Sequence, residues 1–559
     1  MVRRFPTPAW TVGYRRGWLR GDILAGITIT AYLIPQVMAY AEVAGLPAVA
    51  GLWASIGALL AYAVLGSSGQ LSVGPESTTA LMTAAAVGAV ATTGTSQYAN
   101  LAAVLCLVVA TFCLLAWFGR LAFVAELLSR PVLVGYMTGV ALIMIVSQLG
   151  KLTGIDVSTD GFLHEIGDVV RHLDQVHVPT LVLGLITLVV MLAGSYLAPH
   201  APMALIGMVG AAAAVSLLDL GERGVTVIGT IPAGLPVPSL PHLTFDDVVS
   251  LAPAALGVAF VAYTDNILTG RAFGNRHGER VDPKRELLAL GAANLASGVM
   301  QGFPVSSSGS RTAIGDAVGA RTQLTSLVTV AATVFAVLAL RPLLAAFPTA
   351  ALGAVVVFAA VRLIDVAEFR RLARFRRTEF LIALATTAAV LVVGVLPGVL
   401  VAIGLSVLAL LGRVARPHDA IEGVVPDLAG MHDVDDYPDA TVIPGLLVYR
   451  YDSPLFFANV EDFRRRALAS VDETSGPVQW FLLNAEAIID IDITAVDALE
   501  DLRKELSERD IVFAMAHTKM ELRADLERVG LVQRIGEDRF FPTLHTAVQG
   551  FRRWQEKAG

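Results

Sequence analysis

Residues 300–320 read MQGFPVSSSGSRTAIGDAVGA, an apolar stretch that is interrupted by proline, glycine and four serines. A second stretch of this kind, residues 66–82, reads GSSGQLSVGPESTTALM. Each places a proline, Pro304 or Pro75, two residues before a serine. Paired, interrupted apolar segments in corresponding halves of a chain are typical of transporters built from inverted repeats, whose site forms where the helices break. The alternative is a pair of ordinary kinked or re-entrant helices.

The sequence around these segments is that of a polytopic membrane protein. Of its 559 residues, 55% are hydrophobic and 16% are charged, whereas a soluble domain carries roughly 25% charged residues. From about Gly21 to Leu411, apolar runs follow one another with few charges between them. Counting windows of ~20 apolar residues predicts about twelve spans, and the two interrupted segments are additional to these.

Arginine and lysine occur in clusters, which mark the cytoplasmic side of a membrane protein. The clusters lie at Arg3 to Arg20, Arg120 to Arg130, Arg271 to Arg285, Arg362 to Arg377 and Arg413 to Arg416. They fit one alternation with both termini in the cytoplasm, and we predict a multi-pass protein of the cell (plasma or inner) membrane. Their spacing at loop intervals disfavours the alternative, a protein that binds nucleic acid through basic patches.

The two interrupted segments predict a site for a small inorganic anion. A helix that begins inside the membrane presents free N–H groups and a dipole end of about +0.5 charge. Two such ends that face each other form an anion site without any basic side chain. Hydroxyl donors are predicted at both breaks, from Ser77, Thr78 and Thr79 at the first and from Ser306, Ser307, Ser308 and Ser310 at the second. Gly309 permits close approach of the backbone.

Arg311 follows directly in the second segment. With two helix ends it would raise the local charge to about +2, which suits a dianion such as sulfate. The alternative is that Arg311 pairs with one of three acids, Glu76, Asp265 or Asp316. Glu76 itself either weakens the anion site or caps the first broken helix, the commoner use of an acid at that position.

Asp265 is predicted to couple transport to a cation. It lies in the apolar span 251–268, where an ionisable group costs about 2.5–3.5 kcal/mol and is a functional candidate by default. The segment YTDNILTG places Thr269 four residues later on the same helix face. We expect the pair to bind Na⁺, or Asp265 to take up H⁺, beside the incoming anion; no other metal and no cofactor is predicted. The alternative is a structural ion pair of Asp265 with Arg311 or Arg271.

Two further polar residues follow in the next span. Glu286 lies near a basic loop and is interpreted as an interfacial acid that pairs with Lys284 or Arg285. Asn294 is predicted to stabilise helix–helix packing.

Beyond Arg413 the sequence becomes rich in charges of both signs, which predicts a water-facing domain. Alternating strand and helix signals in this part indicate an α/β order. We predict a transmembrane anion-transport domain over residues 1–415, a linker over residues 416–440 and a cytoplasmic domain over residues 441–559.

Several blocks resemble the SulP family of sulfate permeases and related anion exchangers. They include residues 31–55 (AYLIPQVMAYAEVAGLPAVAGLWAS), residues 66–77 and residues 286–323, and the similarity covers nearly the whole chain. Residues 443–459 (IPGLLVYRYDSPLFFAN) resemble the opening of the STAS domain that usually completes this family. The resemblance implies fourteen transmembrane helices in a seven-plus-seven inverted repeat, core and gate subdomains that move as an elevator, and a C-terminal α/β STAS domain.

The resemblance also implies roles for the candidate residues. In the family the anion sits between the N-termini of the third and tenth helices, which here matches Ser77, Thr78, Ser310 and Arg311. Asp265 matches the acid of the eighth helix that is tied to cation coupling. The pair Asp265 and Thr269 resembles the sodium site of bicarbonate-transporting relatives.

In the C-terminal domain, the resemblance matches Asp492 and Thr494 to an acid and a nearby serine or threonine. In related soluble domains that serine or threonine can be phosphorylated. The alternative is that Thr494 and Asp497 form a capping pair at a helix start. The domain is expected to bind regulatory proteins or the membrane domain, and the chain is expected to form a homodimer.

The leading functional prediction is sulfate uptake coupled to Na⁺ or H⁺ by a secondary transporter. Alternatives with the same fold are Na⁺-coupled bicarbonate uptake and an anion exchanger or channel. A signalling membrane protein whose output is the STAS domain is a further alternative. The sequence has no nucleotide-binding motif and no nucleophile–base constellation, which argues against ATP-driven transport and against an enzyme.

Overall fold

The computed structural model describes residues 9–11, 14–126, 129–155, 162–198, 201–232 and 234–558. The chain divides into two compact units, Met1–Ser406 and Val407–Gly559. The division falls within the helix Val395–Ala415. The predicted domain limits at 415 and 440 stay predictions.

The first unit is helical. Its helices are α1 (Leu19–Val43), α2 (Val49–Leu65), α3 (Ser77–Gly88), α4 (Ser96–Phe118), α5 (Arg130–Ser147), α6 (Leu149–Thr153), α7 (Phe162–Arg171), α8 (Val178–Leu197), α9 (Met203–Leu217), α10 (Phe245–His277), α11 (Pro283–Val299), α12 (Gly309–Val318), α13 (Leu324–Ala339), α14 (Arg341–Ala345), α15 (Thr349–Val361), α16 (Val366–Phe375), α17 (Arg377–Val393) and α18 (Val395–Ala415). Short 3-10 turns lie at Ala9–Thr11, Arg16–Trp18, Leu121–Glu126 and Leu173–Gln175. Its two strands are β1 (Val73–Gly74) and β2 (Ser306–Ser307).

Several of these helices are apolar enough for a bilayer. In the described part of the chain, six helical stretches are long and apolar enough to cross a membrane, and shorter apolar helices accompany them. Large apolar side chains also point outward, and on α8 Ile186 is 58% exposed and Val189 is 60% exposed. A helix that is apolar on its outer face as well as its inner face is suited to lipid. The first unit is therefore a membrane domain.

The helix packing repeats between the two halves of the unit. Without the short α6, α7, α14 and α16, the described helices number fourteen: α1–α5, α8 and α9 in the first half, then α10–α13, α15, α17 and α18. The contact of α4 with α11 is matched by that of α13 with α2, and α5 with α17 by α15 with α8. The contact of α3 with α10 is likewise matched by that of α12 with α1. Because each half has an odd number of helices, the second half enters the membrane from the opposite side, as an inverted repeat requires.

The same contacts separate the helices into two packing groups. One group contains α1–α4 and α10–α13, and the other contains α5, α8, α9, α15 and α17. Contacts between the groups involve mainly α1, which touches α9 and α15. Both of the short helices α3 and α12 belong to the first group.

The second unit is an α/β domain with one sheet. Its strands are β3 (Asp419–Val424), β4 (Met431–Asp433), β5 (Leu446–Tyr451), β6 (Trp480–Asn484), β7 (Val512–Ala516) and β8 (Phe540–Phe541), in the order β4-β3-β5-β6-β7-β8. Its helices are α19 (Val460–Glu473), α20 (Ile493–Glu508), α21 (Met520–Arg528), α22 (Leu531–Ile535) and α23 (Leu544–Ala558). Strands β5 to β8 are parallel, whereas β3 is antiparallel to both of its neighbours. The sheet therefore begins inside residues 416–440, the segment predicted as a linker.

A buried acid fastens the edge strand β3 to the sheet. Glu422 is 2% exposed, and its carboxylate accepts hydrogen bonds from Arg450 Nη1 at 2.9 Å and Asn484 Nδ2 at 2.8 Å. Loss of hydration raises the pKa of Glu422, while the bond from Asn484 and the charge of Arg450 oppose that rise. These contacts join β3, β5 and β6, which explains why a segment of mixed, polar sequence is ordered as a strand.

Candidate functional site

Two short helices begin in the interior of the membrane domain and are joined by a two-residue β bridge. Helix α3 has 12 residues and α12 has 10, so each is roughly 15–18 Å long and crosses only about half of a bilayer's hydrocarbon core. Strands β1 and β2 pair antiparallel, with Val73 opposite Ser307 and Gly74 opposite Ser306. Because each strand leads directly into its helix, the N-termini of α3 and α12 lie near each other, as the interrupted segments predict.

Side chains of neighbouring helices satisfy the irregular backbone before these strands. Asn294 donates to the carbonyl of Val305 at 3.1 Å and accepts from the N–H of Val305 at 3.0 Å. Gln323 donates to the carbonyls of Ser68 and Leu71, both at 2.9 Å. Non-helical backbone at membrane depth requires such partners. Asn294 was predicted to link helices; instead, its amide holds the chain that leads into β2.

The N-terminus of α12 opens onto accessible space. The hydroxyl of Ser308 accepts from Arg311 N at 3.4 Å, and the carbonyl of Ser308 accepts from Thr312 N at 2.9 Å. The first N–H groups of a helix have no partner within the helix. These contacts therefore leave the N–H groups of Gly309 and Ser310 without a partner among the described residues. Both residues are exposed, and a Cβ atom built on Gly309 would meet no atom within 4 Å.

Arg311 is fully buried beside this opening. Its Nη1 donates to the carbonyl of Pro75 at 3.0 Å and its Nε donates to Ser72 Oγ at 3.4 Å, so the side chain reaches across to the segment before α3. Its Nη2 has no hydrogen-bond partner among the described residues. The alternative pairing with Asp316 is not formed, because Asp316 pairs with His277 at 2.5 Å. One nitrogen of this buried guanidinium is thus unpaired among the described residues.

Glu76 caps α3, as one interpretation of the sequence held. Its carboxylate accepts from Thr78 N at 2.7 Å and also from the hydroxyl of Ser77. The hydroxyl of Thr78 lies 3.9 Å from the sulfur of Met137. The predicted donors Ser77 and Thr78 therefore face Glu76 and Met137 in this structure.

Asp265, on α10, contacts the β bridge. Its Oδ2 accepts hydrogen bonds from Ser307 Oγ at 2.8 Å and Ser306 Oγ at 3.3 Å. Within the described parts of the chain these are its side-chain partners, and neither Arg311 nor Thr269 is among them. Both Asp265 and Thr269 are partly exposed. The acid is thus tied to the strand that carries the N-terminus of α12.

Sequence reasoning assigned no role to two polar residues of α1. Tyr40 is 4% exposed, and its hydroxyl neighbours Ser77 at the start of α3. Gln36, one turn earlier, is buried, and its Oε1 has no partner in the part of the chain that the structure describes. The available signal was the i, i+4 spacing of these two polar residues, which places them on one face of α1.

The interpretation of Glu286 as an interfacial acid is wrong. Glu286 is fully buried and accepts from Tyr62 Oη at 3.0 Å, from Ser67 Oγ at 2.6 Å and from Asn266 Nδ2 at 2.6 Å. These donors come from α2, the turn after it and α10. The carboxylate therefore links three parts of the helix bundle, not a basic loop.

Replacing Glu286 with alanine should strongly destabilise the membrane domain. The change leaves several buried donors without an acceptor, and each such group costs about 1–3 kcal/mol. We expect a clearly lower unfolding temperature for the purified full-length protein in detergent. The matched control is Lys284→Ala, which removes an exposed charge two residues away and should leave that temperature unchanged. Equal effects of the two substitutions would instead support the interfacial pair.

In the second unit, the cap of α20 is Asp492. Its Oδ1 accepts from Ala495 N and its Oδ2 from Phe457 N, both at 2.8 Å. Thr494 lies in the first turn and is exposed. The predicted capping pair of Thr494 with Asp497 is therefore wrong, because the acid two residues earlier holds that position. Phosphorylation of Thr494 stays a prediction.

Asp492→Ala should lower the stability of the α/β domain by about 1 kcal/mol or more, since it removes an N-cap. Thermal unfolding of the full-length protein measures the effect. Asp492→Asn retains a capping oxygen and Thr494→Ala removes none, so both should lie close to wild type. A larger loss with Thr494→Ala than with Asp492→Ala would contradict this assignment.

Comparison with known families finds one matching family model for each of the two units. The model of the sulfate permease family matches residues 19–386, which is more than half of the chain. The chain belongs to the sulfate permease family. The model of the STAS domain matches residues 437–547 in the second unit. The fold predicted from the sequence is thereby confirmed, including the membrane domain and the C-terminal STAS domain.

Two similar proteins match this chain over nearly its whole length. "Probable sulfate transporter Rv1739c" of Mycobacterium tuberculosis is 54% identical over 559 residues, covering 99% of this chain and 100% of that protein. "Probable sulfate transporter 4.2" of Arabidopsis thaliana is 31% identical and covers 98% of this chain and 83% of that protein. The family and these relatives are transporters, so the expectation that the chain is not an enzyme is confirmed.

Two solved structures share the fold. The structure of SLC26A9 matches with a TM-score of 0.89 at 22% identity, covering 98% of this chain and 93% of that chain. The transmembrane domain of the cyanobacterial bicarbonate transporter BicA matches with a TM-score of 0.62 at 21% identity, covering 70% of this chain and 98% of that chain. The fourteen-helix inverted repeat fits this fold. The protein is thus a membrane anion transporter by family and fold.

Proposed function

We propose that the protein takes up sulfate, or a closely similar divalent oxyanion, by secondary transport driven by H⁺ or Na⁺. The observation that carries this proposal is the N-terminus of α12. There the free N–H groups of Gly309 and Ser310 open beside the buried Arg311, whose Nη2 has no partner among the described residues. Backbone donors, a helix dipole and a guanidinium together bind a tetrahedral oxyanion.

The charges around the site supply a reason for cation coupling. Arg311 and the two helix ends together contribute about two positive charges. Glu76 and Asp265 remove that excess when both are ionised. A dianion therefore gains little attraction until a proton or Na⁺ neutralises one of the acids. Asp265 is the proposed cation site, with Thr269 as a further oxygen ligand for Na⁺, because Asp265 is bonded to the strand that positions α12.

The relatives support sulfate over a monovalent anion. Proteins that are 54% and 31% identical to this chain are both named as probable sulfate transporters. A site with a buried arginine and two helix ends also suits two negative charges better than one. Bicarbonate, the substrate named for the BicA structure, is the alternative outcome of the experiment below.

The proposed movement is of the elevator type. The β bridge, α3 and α12 all belong to the packing group of α1–α4 and α10–α13, so the site can move as one body against the other group. We place the protein in the cell membrane with both termini in the cytoplasm, on the pattern of basic clusters. The proposal includes a homodimer and a regulatory STAS domain that binds other proteins or the membrane domain.

The test is uptake of radiolabelled sulfate into proteoliposomes that contain the full-length protein. Proton and Na⁺ gradients are imposed separately, and bicarbonate, chloride and dicarboxylates are added as competitors. We expect saturable sulfate uptake that one gradient increases, and counterflow by unlabelled sulfate, which a channel would not give. Uptake of bicarbonate but not of sulfate would show that the proposed substrate is wrong. Flux that does not saturate would show that the proposed mechanism is wrong.

Gly309→Ala should weaken sulfate transport without affecting the fold. The added methyl group meets no protein atom within 4 Å, yet it enters the space in front of the α12 N-terminus. We expect the KM for sulfate to rise by roughly tenfold, the scale of about 1.4 kcal/mol of binding energy. Gly88→Ala is the matched control, because its Cβ also lies in open space, at the other end of α3. Equal KM values for the two variants would argue against an anion at α12.

A further inference from the structure

The N-terminus of α3 is already occupied by a carboxylate of the protein itself, that of Glu76. The carboxylate of Glu76 accepts from Thr78 N at 2.7 Å and from the hydroxyl of Ser77. These are the donors that a bound oxyanion would use at this helix end. At the opposite helix end, by contrast, Gly309 and Ser310 are exposed and their N–H groups are available.

Glu76 lies close to the groups that would hold the substrate. Arg311 donates to the carbonyl of Pro75, the residue directly before Glu76. Four charged or titratable groups of the surrounding helices lie within electrostatic range of Glu76: Tyr40 of α1, Tyr136 of α5, Asp265 of α10 and Arg311 of α12. Helices α4 and α15, which also touch α3, present no such group to it among the described residues. Among the described residues of these helices, Arg311 is thus the cation that interacts with Glu76.

We propose that Glu76 is a tethered competitor of the transported anion, and that a proton on Glu76 accompanies each sulfate ion through the transport cycle. This inference rests on the proposed function. In the anion-free protein the ionised carboxylate occupies the α3 helix end and uses part of the field of Arg311. A sulfate ion bound at α12 would lie beside this second anion, and like charges at short range oppose each other.

A proton that reaches Glu76 from the entry side removes this repulsion, and Glu76 still caps α3. A protonated carboxyl group keeps one oxygen that accepts from Thr78 N, and its new O–H can donate to a sulfate oxygen. No bond of the sulfate ion is made or broken. When the anion leaves on the other side, the proton leaves with it and the carboxylate returns to full charge. The proton on Glu76 at α3 and the sulfate ion at α12 thus bind together, at two neighbouring helix ends.

Glu76→Gln separates the charge of this residue from its capping role. The glutamine carbonyl can still accept from Thr78 N, whereas the negative charge is lost. We expect the KM for sulfate at neutral pH to fall by roughly tenfold, the scale of one charge-assisted contact. The change of KM with pH should also become smaller than in the wild type. Glu222→Gln, which removes an exposed acid of the same unit, is the charge-matched control and should leave both quantities unchanged.

The outcomes distinguish this inference from the proposed function. If the wild type takes up sulfate but Glu76→Gln shows an unchanged or higher KM and the same pH profile, the competitor role is overturned while the function stands. If the wild type takes up no sulfate, the function itself fails. A second measurement follows the proton directly: sulfate added to the purified wild type in weakly buffered solution should cause proton uptake, and Glu76→Gln should take up fewer protons. The absence of proton uptake would also overturn the inference.

Discussion

Arg311→Gln is expected to reduce sulfate uptake into proteoliposomes by about 100-fold or more. Removing one partner of a buried, hydrogen-bonded charge contact costs about 2–5 kcal/mol. The substitution removes the buried cation that interacts with Glu76, and it leaves that carboxylate with less counter-charge. Arg311→Lys keeps the charge but not the planar fork that reaches Pro75 and Ser72 together. It should therefore recover only part of the uptake.

The control for this result is Arg321→Gln. Arg321 is an exposed arginine ten positions further along, and its side chain lies beside His277 rather than in the site. Uptake by this variant should stay within about twofold of the wild type, because exposed charges contribute little. Size-exclusion chromatography and thermal unfolding establish that Arg311→Gln is folded. A folded Arg311→Gln protein with normal sulfate uptake would contradict the proposed site.

Asp265→Asn is expected to uncouple transport from the cation that binds at Asp265. The amide retains the shape of the side chain and can accept from Ser306 and Ser307, but it neither takes up a proton nor carries a charge for Na⁺. The stimulation of sulfate uptake by the driving gradient should fall to the part that the proton on Glu76 supplies, while sulfate binding is retained or becomes tighter because one negative charge is lost. Uptake with and without the imposed gradient measures the coupling directly.

The matched control for coupling is Asp246→Asn on the same helix. Asp246 lies in the exposed first turn of α10, far in sequence from the β bridge, and its variant should keep full gradient stimulation. If Asp265→Asn transport keeps the full gradient stimulation of the wild type, Asp265 does not carry the coupling, which would then rest on Glu76 alone.

Much of the fold was predictable because its main features are local in the sequence. The breaks before α3 and α12 are visible as proline, glycine and serine in otherwise apolar segments, and Glu76 is recognisable as a cap from its position alone. The charge-rich sequence after Arg413 likewise predicts a water-facing α/β domain. Each of these features needs only a few neighbouring residues to be recognised.

The predictions that failed depend on contacts between distant residues. Glu286 was assigned to Lys284 or Arg285 because they are adjacent, whereas its partners Tyr62 and Ser67 lie more than 200 positions earlier. The hydroxyl groups of Ser306 and Ser307 were predicted to face the anion, but they donate to Asp265 on another helix. The pairing of β1 with β2 fixes that orientation, and no local pattern shows it.

The most direct test of the proposed site is to locate a bound substrate analogue. Selenate has the shape and charge of sulfate, and its selenium can be located by anomalous diffraction from crystals of the full-length protein. The account predicts a selenium peak in front of Gly309 and Ser310, within hydrogen-bonding reach of the guanidinium of Arg311. A peak at another place in the membrane domain, with the α12 N-terminus empty at saturating selenate, would contradict it.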